Sequence, residues 1–85
     1  MLTKDVELIN QGGLHARPAT FFVQLCNTFQ SKIKIMMGNR QADAKSMISV
    51  MTLGAGKGKT VTIVVEGEDE ELALGKIVEY FSNLE

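Results

Sequence analysis

The period of the apolar pattern switches again and again within 85 residues, and this switching limits the fold more than any single residue does. Val61, Ile63 and Val65 alternate with Thr60, Thr62 and Val64, while Ile33 and Ile35 alternate with Lys32 and Lys34. A period of two belongs to strands that bury one face and wet the other. Val6 and Leu8 alternate with Asp5 and Glu7 in the same way, which predicts a first strand ending near Ile9. Ala19, Phe22, Val23, Cys26 and Phe29 instead recur at the spacing of one helical face, so a helix is expected from about Ala16 to Phe29. Pro18 suits the first turn of that helix, where a backbone N–H has no intrahelical partner. Gly38 and Asn39 offer a tight turn after the second strand, and Arg40 to Asp43 can return as a short antiparallel strand. Ser46 is placed as the N-cap of a short apolar helix carrying Met47, Ile48, Val50 and Met51, which Gly54 stops. Leu74, Ile77, Val78, Phe81 and Leu84 line one face of a last helix. The order β-α-β-β-α-β-α in so short a chain predicts an α+β fold, an open-faced β-sandwich whose helices cover one face of a largely antiparallel sheet.

Length and composition limit the function. Residues 1–85 suffice for a single core and leave no material for a second domain. A hydrophobic fraction of 45% supports such a core, and a net charge of -1 gives no general attraction to nucleic acid or to anionic lipid. The lone cysteine has no partner for an internal disulfide, which fits a reducing, cytoplasmic setting. The N-terminal MLTKDVELIN mixes charged and apolar residues and lacks the unbroken apolar run of a signal peptide or membrane span. One histidine and one cysteine do not make a metal site, and no cofactor is expected.

The stretch GLHARPAT, Gly13 to Thr20, holds the only histidine and the only proline. If Ala16 opens the helix, His15 is its N-cap, and the free amides of Ala16 and Arg17 make an anion cradle beside the imidazole. A neutral imidazole can attack phosphorus, and the Arg17 guanidinium can then bind the phosphoryl oxygens. The plainer alternative is that His15 is a poor cap, where Ser, Thr, Asp or Asn would cap better, and that Arg17 is a solvated charge. The spacing alone leaves both open.

GLHARPAT, followed after the hairpin by AKSMISVMTLG from Ala44 to Gly54, resembles the histidine-containing phosphocarrier (HPr) family of the bacterial phosphoenolpyruvate-dependent sugar phosphotransferase system. The resemblance covers essentially the whole chain. It implies that His15 accepts a phosphoryl group on Nδ1 from phosphorylated enzyme I and passes it to sugar-specific A domains, with Arg17 as the phosphate clamp. It also implies four antiparallel strands with three helices, and a carrier rather than a turnover enzyme. Many members have a small polar side chain where this chain has Gly12, which has none to help position the site. Ser46 resembles the serine that a dedicated kinase phosphorylates in many low-GC Gram-positive bacteria, where the modified face binds a catabolite-control transcription factor. A plain capping role for Ser46 is compatible with that.

Met47, Ile48 and Met51 exceed what a helix this short can bury, so they are expected to form a docking patch beside His15. A carrier that offers one face to successive partners is expected to be a monomer. Two other readings remain, a regulatory interaction module centred on Ser46 and a small-anion or RNA-binding α+β domain; the acidic balance opposes RNA. GAGKGKT, Gly54 to Thr60, is not a phosphate loop, because Leu53 stands where that pattern needs glycine and a strand follows. It is expected to be a glycine loop with solvated Lys57 and Lys59. Cys26 is expected to be a buried, unreactive thiol, and the run Glu66 to Glu71 an acidic helix start.

Overall fold

The computed structural model describes residues 1–84. In chain order the elements are β1 (Leu2–Glu7), α1 (Ala16–Cys26), β2 (Lys32–Met37), β3 (Arg40–Asp43), α2 (Met47–Leu53), β4 (Thr60–Glu66) and α3 (Glu70–Ser82). The strands form one antiparallel sheet in the order β1-β4-β2-β3. The last strand in sequence therefore lies inside the sheet, with Val6 opposite Val61 on one side and Ile35 opposite Ile63 on the other. These registers put Val61, Ile63, Val65 and Ile35 on one face, all fully buried. On the opposite face Thr62 and Val64 are half-buried and Lys32 and Lys34 exposed. Period-two alternation thus fixes which face the helices cover, and the α+β open-faced sandwich is the observed architecture.

Phe22 of α1 anchors the helical layer. Its ring centroid lies 5.3 Å from that of Phe81 and 6.4 Å from that of Tyr80, both on α3, spacings at which offset or tilted aromatic pairs attract. The Tyr80 hydroxyl donates to the Pro18 carbonyl at 2.7 Å, tying α3 to the first turn of α1. Cys26 is buried on the same apolar face, and burial pushes its thiol up to about 12.

The element ends depart from the sequence pattern in four places. α1 stops at Cys26, three residues before Phe29. Asn27 Nδ2 donates to Val23 O at 2.9 Å and to Lys45 O at 3.1 Å, and Thr28 Oγ1 donates to Leu25 O at 2.6 Å. Side chains thus take up the carbonyls that another helical turn would use, and Phe29 is buried from a turn. β1 stops at Glu7 rather than near Ile9, although Leu8 still bonds to Lys59 O and Gly58 N. Ile9 is exposed. On α3 the buried residues are Ala73, Ile77 and Phe81; Leu74 and Val78 are half-buried, and Leu84 lies past the helix end. The acidic run also divides: Glu66 closes β4, Glu70 and Glu71 sit in the first turn of α3, and Asp69 turns to another segment. Its carboxylate accepts from Gln30 N at 2.8 Å, Ser31 N at 2.9 Å and Ser31 Oγ. The hydrogen bonds from Ser31 and Gln30 hold the Asp69 carboxyl below the usual carboxylate range.

Candidate functional site: the His15 loop and the start of α1

His15 sits at the N-cap of α1 with extended backbone, φ -117° and ψ 152°, and its side chain makes no capping hydrogen bond. It is exposed. A residue chosen to cap would spend its side chain on the helix amides; this one leaves both the ring and the amides free for something else. Ala16 then takes φ 49°, the only positive φ of a non-glycine among the described residues. That left-handed conformation costs a residue with a Cβ about 1–3 kcal/mol and clusters at functional sites. Left-handed backbone running into a right-handed helix turns successive N–H groups toward one side, the concavity that binds anions.

The loop before His15 is held from two directions. Gly13 N donates to Asn10 O at 3.2 Å and Asn10 Nδ2 donates to Gly13 O at 2.8 Å, so Asn10 holds the backbone on both sides of the Gly13 Cα. Leu14 N donates to Ala55 O at 2.8 Å. Gly13 has φ 56°, and a Cβ built there would lie 2.5 Å from Ala55 O and 2.7 Å from Gly56 Cα. Only glycine meets both demands. The glycine loop after α2 thereby presses against the histidine loop, and a Cβ at Gly56 would stand 3.8 Å from His15 Nε2. Lys57 Nζ reaches Gln11 Oε1 at 3.5 Å across the same junction.

Arg17 follows on the first turn of α1, exposed. The ion pair recorded among the described residues joins the Met1 ammonium to Glu70, leaving the guanidinium of Arg17 without a carboxylate partner. Gly12 has open space around its Cα and no side chain to offer. His15, the amides of Ala16 and Arg17, and the Arg17 guanidinium are therefore brought to one helix end.

Ser46 caps α2, its Oγ accepting from Ser49 N at 3.3 Å, and Gly54 closes that helix in the left-handed conformation at φ 72°. Thr20 Oγ1 lies 4.0 Å from Met47 Sδ, linking α1 to α2. The residues expected to form a docking patch divide. Ile48 is 80% exposed and Met51 45%, while Met47 is half-buried and packs on the core. Among the described residues no group of three or more His, Cys, Asp or Glu side chains is placed to hold a metal ion, and no helix is long and apolar enough to cross a membrane.

Sequence patterning missed Asn10 and the reason for Gly13. A buried asparagine in a polar loop has no periodic signature, and a close approach between loops 42 residues apart in sequence is a tertiary fact.

Residues 2–83 match the family model described as the PTS HPr component phosphorylation site. The chain belongs to the HPr family. The phosphocarrier protein HPr of Cupriavidus necator is 42% identical over 83 residues, covering 98% of this chain and 93% of the relative. The crystal structure of HPr from Thermoanaerobacter tengcongensis superposes with a TM-score of 0.94 at 39% identity, covering 96% of this chain and 92% of that one. The catabolite-repression protein Crh of Bacillus subtilis, a domain-swapped dimer in its crystal, gives a TM-score of 0.76 at 38% identity, covering 96% and 94%. HPr proteins are phosphocarriers, so this chain carries phosphoryl groups and does not turn over a substrate.

Proposed function

We propose that His15 is the phosphoryl acceptor, that Arg17 clamps the bound phosphoryl group, and that the amides of Ala16 and Arg17 cradle its oxygens. The observation that carries this is an exposed imidazole at a helix N-cap that makes no capping bond, next to an unpaired guanidinium. Phosphoryl transfer needs little from a protein beyond positioning and compensation of charge on the oxygens. The helix end supplies both, and the strained Ala16 supports the reading because such strain marks functional backbone. The donor is phosphorylated enzyme I and the acceptors are sugar-specific A domains of the sugar phosphotransferase system, in a bacterial cytoplasm. An intermediate carrier suits an open site, from which the group leaves as readily as it arrives.

Ser46 is proposed as a regulatory site. A phosphate there adds about -1.5 to -2 charge at the start of α2, beside the apolar Ile48 and Met51 that we assign to docking with Met47 at their edge. A serine kinase would add it, and a catabolite-control transcription factor would read it. We propose that the carrier works as a monomer, because it must offer one face to successive partners; the dimers seen for Crh of Bacillus subtilis and for HPr of Thermoanaerobacter tengcongensis are properties of those proteins. One experiment separates carrier from dedicated regulator: phosphorylate the chain, add a sugar-specific A domain, and follow transfer. Rapid transfer, abolished by His15→Ala, supports the carrier. Slow transfer to every A domain, with tight binding of the Ser46-phosphorylated form to a transcription factor, supports the regulator.

A further inference from the structure

A cleft of about 530 Å³ lies where β2 and β3 meet the start of α2, outside the His15 site. Beneath it lie Ile33 and Ala42, whose buried side chains belong to the core. Its rim is basic, from Lys32, Lys34 and Lys45, with Asp43 as the single carboxylate. That leaves a surplus of two positive charges in one concavity of a chain whose net charge is -1.

The surplus has a structural origin. Asp43 stands directly opposite Lys34 in the register of β2 with β3, where a cross-strand pair of opposite charges would ordinarily attract. Instead the Asp43 carboxylate accepts from Lys45 N at 2.9 Å, closing the turn into α2. No ion pair joins it to Lys34 among the described residues. Lys45 is held in place by its own bond, Nζ donating to Phe29 O at 2.7 Å. Lys32 and Lys34 share the solvent face of β2 and are left without carboxylate partners. Gln41 and Ser49 add an amide and a hydroxyl at the rim.

We infer that this cleft binds a small phosphate monoester with a hydroxylated carbon skeleton, the chemistry of a sugar phosphate. The lysines match a dianion through charge-assisted hydrogen bonds. Gln41 and Ser49 match the hydroxyls of the skeleton. The volume falls in the range of small-molecule sites and exceeds what inorganic phosphate alone would fill. The site does not depend on the role proposed for His15.

Titration of the isotopically labelled chain with glucose 6-phosphate at constant ionic strength, followed by amide chemical shifts, tests this. Glucose and inorganic phosphate serve as separate arms. Saturable shifts at Lys34, Gln41 and Ser49 are expected with glucose 6-phosphate, weaker ones with inorganic phosphate and none with glucose. The paired substitution Lys32→Ala with Lys34→Ala, both on exposed positions, is expected to raise the dissociation constant at least tenfold with an unchanged thermal midpoint. The inference is overturned by shifts confined to residues 15–17, by equal shifts with inorganic phosphate, by binding that survives the paired substitution, or by no saturable shift.

Discussion

Gly13 answers to two constraints at once, a left-handed backbone and contact with the Ala55–Gly56 backbone, and these set the position of the histidine two residues later. Gly13→Ala is expected to lose about 1–3 kcal/mol from the dihedral alone and more from displacement of the 55–56 loop, measured by urea denaturation. Asn10→Ala leaves the Gly13 carbonyl unpaired in a buried loop, a loss of about 1–3 kcal/mol. Phosphoryl acceptance should slow further than that instability explains, which comparison with an equally destabilised core variant would reveal. The placement of His15 and Arg17 at the start of α1 was legible in the sequence, because Pro18 and the apolar spacing that follows mark where the helix begins. Asn10 was not, because its importance lies in a side-chain hydrogen bond to Gly13 O that only the folded loop creates. Cys26 was legible as a buried thiol, and its raised pKa predicts no reaction with a thiol reagent in the native protein at neutral pH. One equivalent should react after denaturation, whereas rapid native labelling would contradict the burial.

At the scale of elements, local capping explains both where the pattern succeeded and where it failed. Ser46 and Gly54 bracket α2 with an N-cap hydrogen bond and a left-handed C-cap, both visible in sequence as residue types suited to those positions. Ser46→Ala should cost about 1 kcal/mol, a fall of roughly 4–8 °C in the melting midpoint of a domain this size. An unchanged midpoint would show that the cap adds nothing to the helix. The end of α1 was misplaced because Phe29 keeps the apolar register after the helix has stopped; Asn27 and Thr28 turn the chain through side-chain bonds to carbonyls. Hydrophobic spacing reports burial, and burial continues past a helix end. Asp69 shows the same lesson in polar residues, since a carboxylate in an acidic run fits the helix dipole in sequence and instead bonds the segment leading into β2.

For the whole molecule, the sheet order places β4 between β1 and β2, so the strand most strongly patterned in sequence is also buried deepest. The fold was legible because β2 and β4 alternate and because α1 and α3 each bury one apolar face. The meeting of the loops at 10–15 and 54–58 was not, because glycine-rich segments carry no periodicity. The helical layer turns on Phe22, so Phe22→Ala should cost about 3–5 kcal/mol, a large part of the stability of a typical domain. Acid should weaken the fold through Asp69. Its carboxyl titrates below the ordinary value in the folded state, so its contribution is complete above about pH 4 and disappears as the pH falls through the lower folded value. Asp69→Asn should flatten the dependence of thermal stability on pH in that acidic window, and an unaltered profile would assign the dependence to other carboxylates.

Most direct for the central claim is intact mass with phosphorus NMR after incubation with phosphoenolpyruvate, magnesium and enzyme I, comparing the natural chain with His15→Ala. An acid-labile adduct with the signal of a phosphorylated imidazole, absent from the folded variant, is the predicted result. A folded natural chain that takes up no phosphate, or an adduct that persists in His15→Ala, would contradict the assignment of His15 as the carrier.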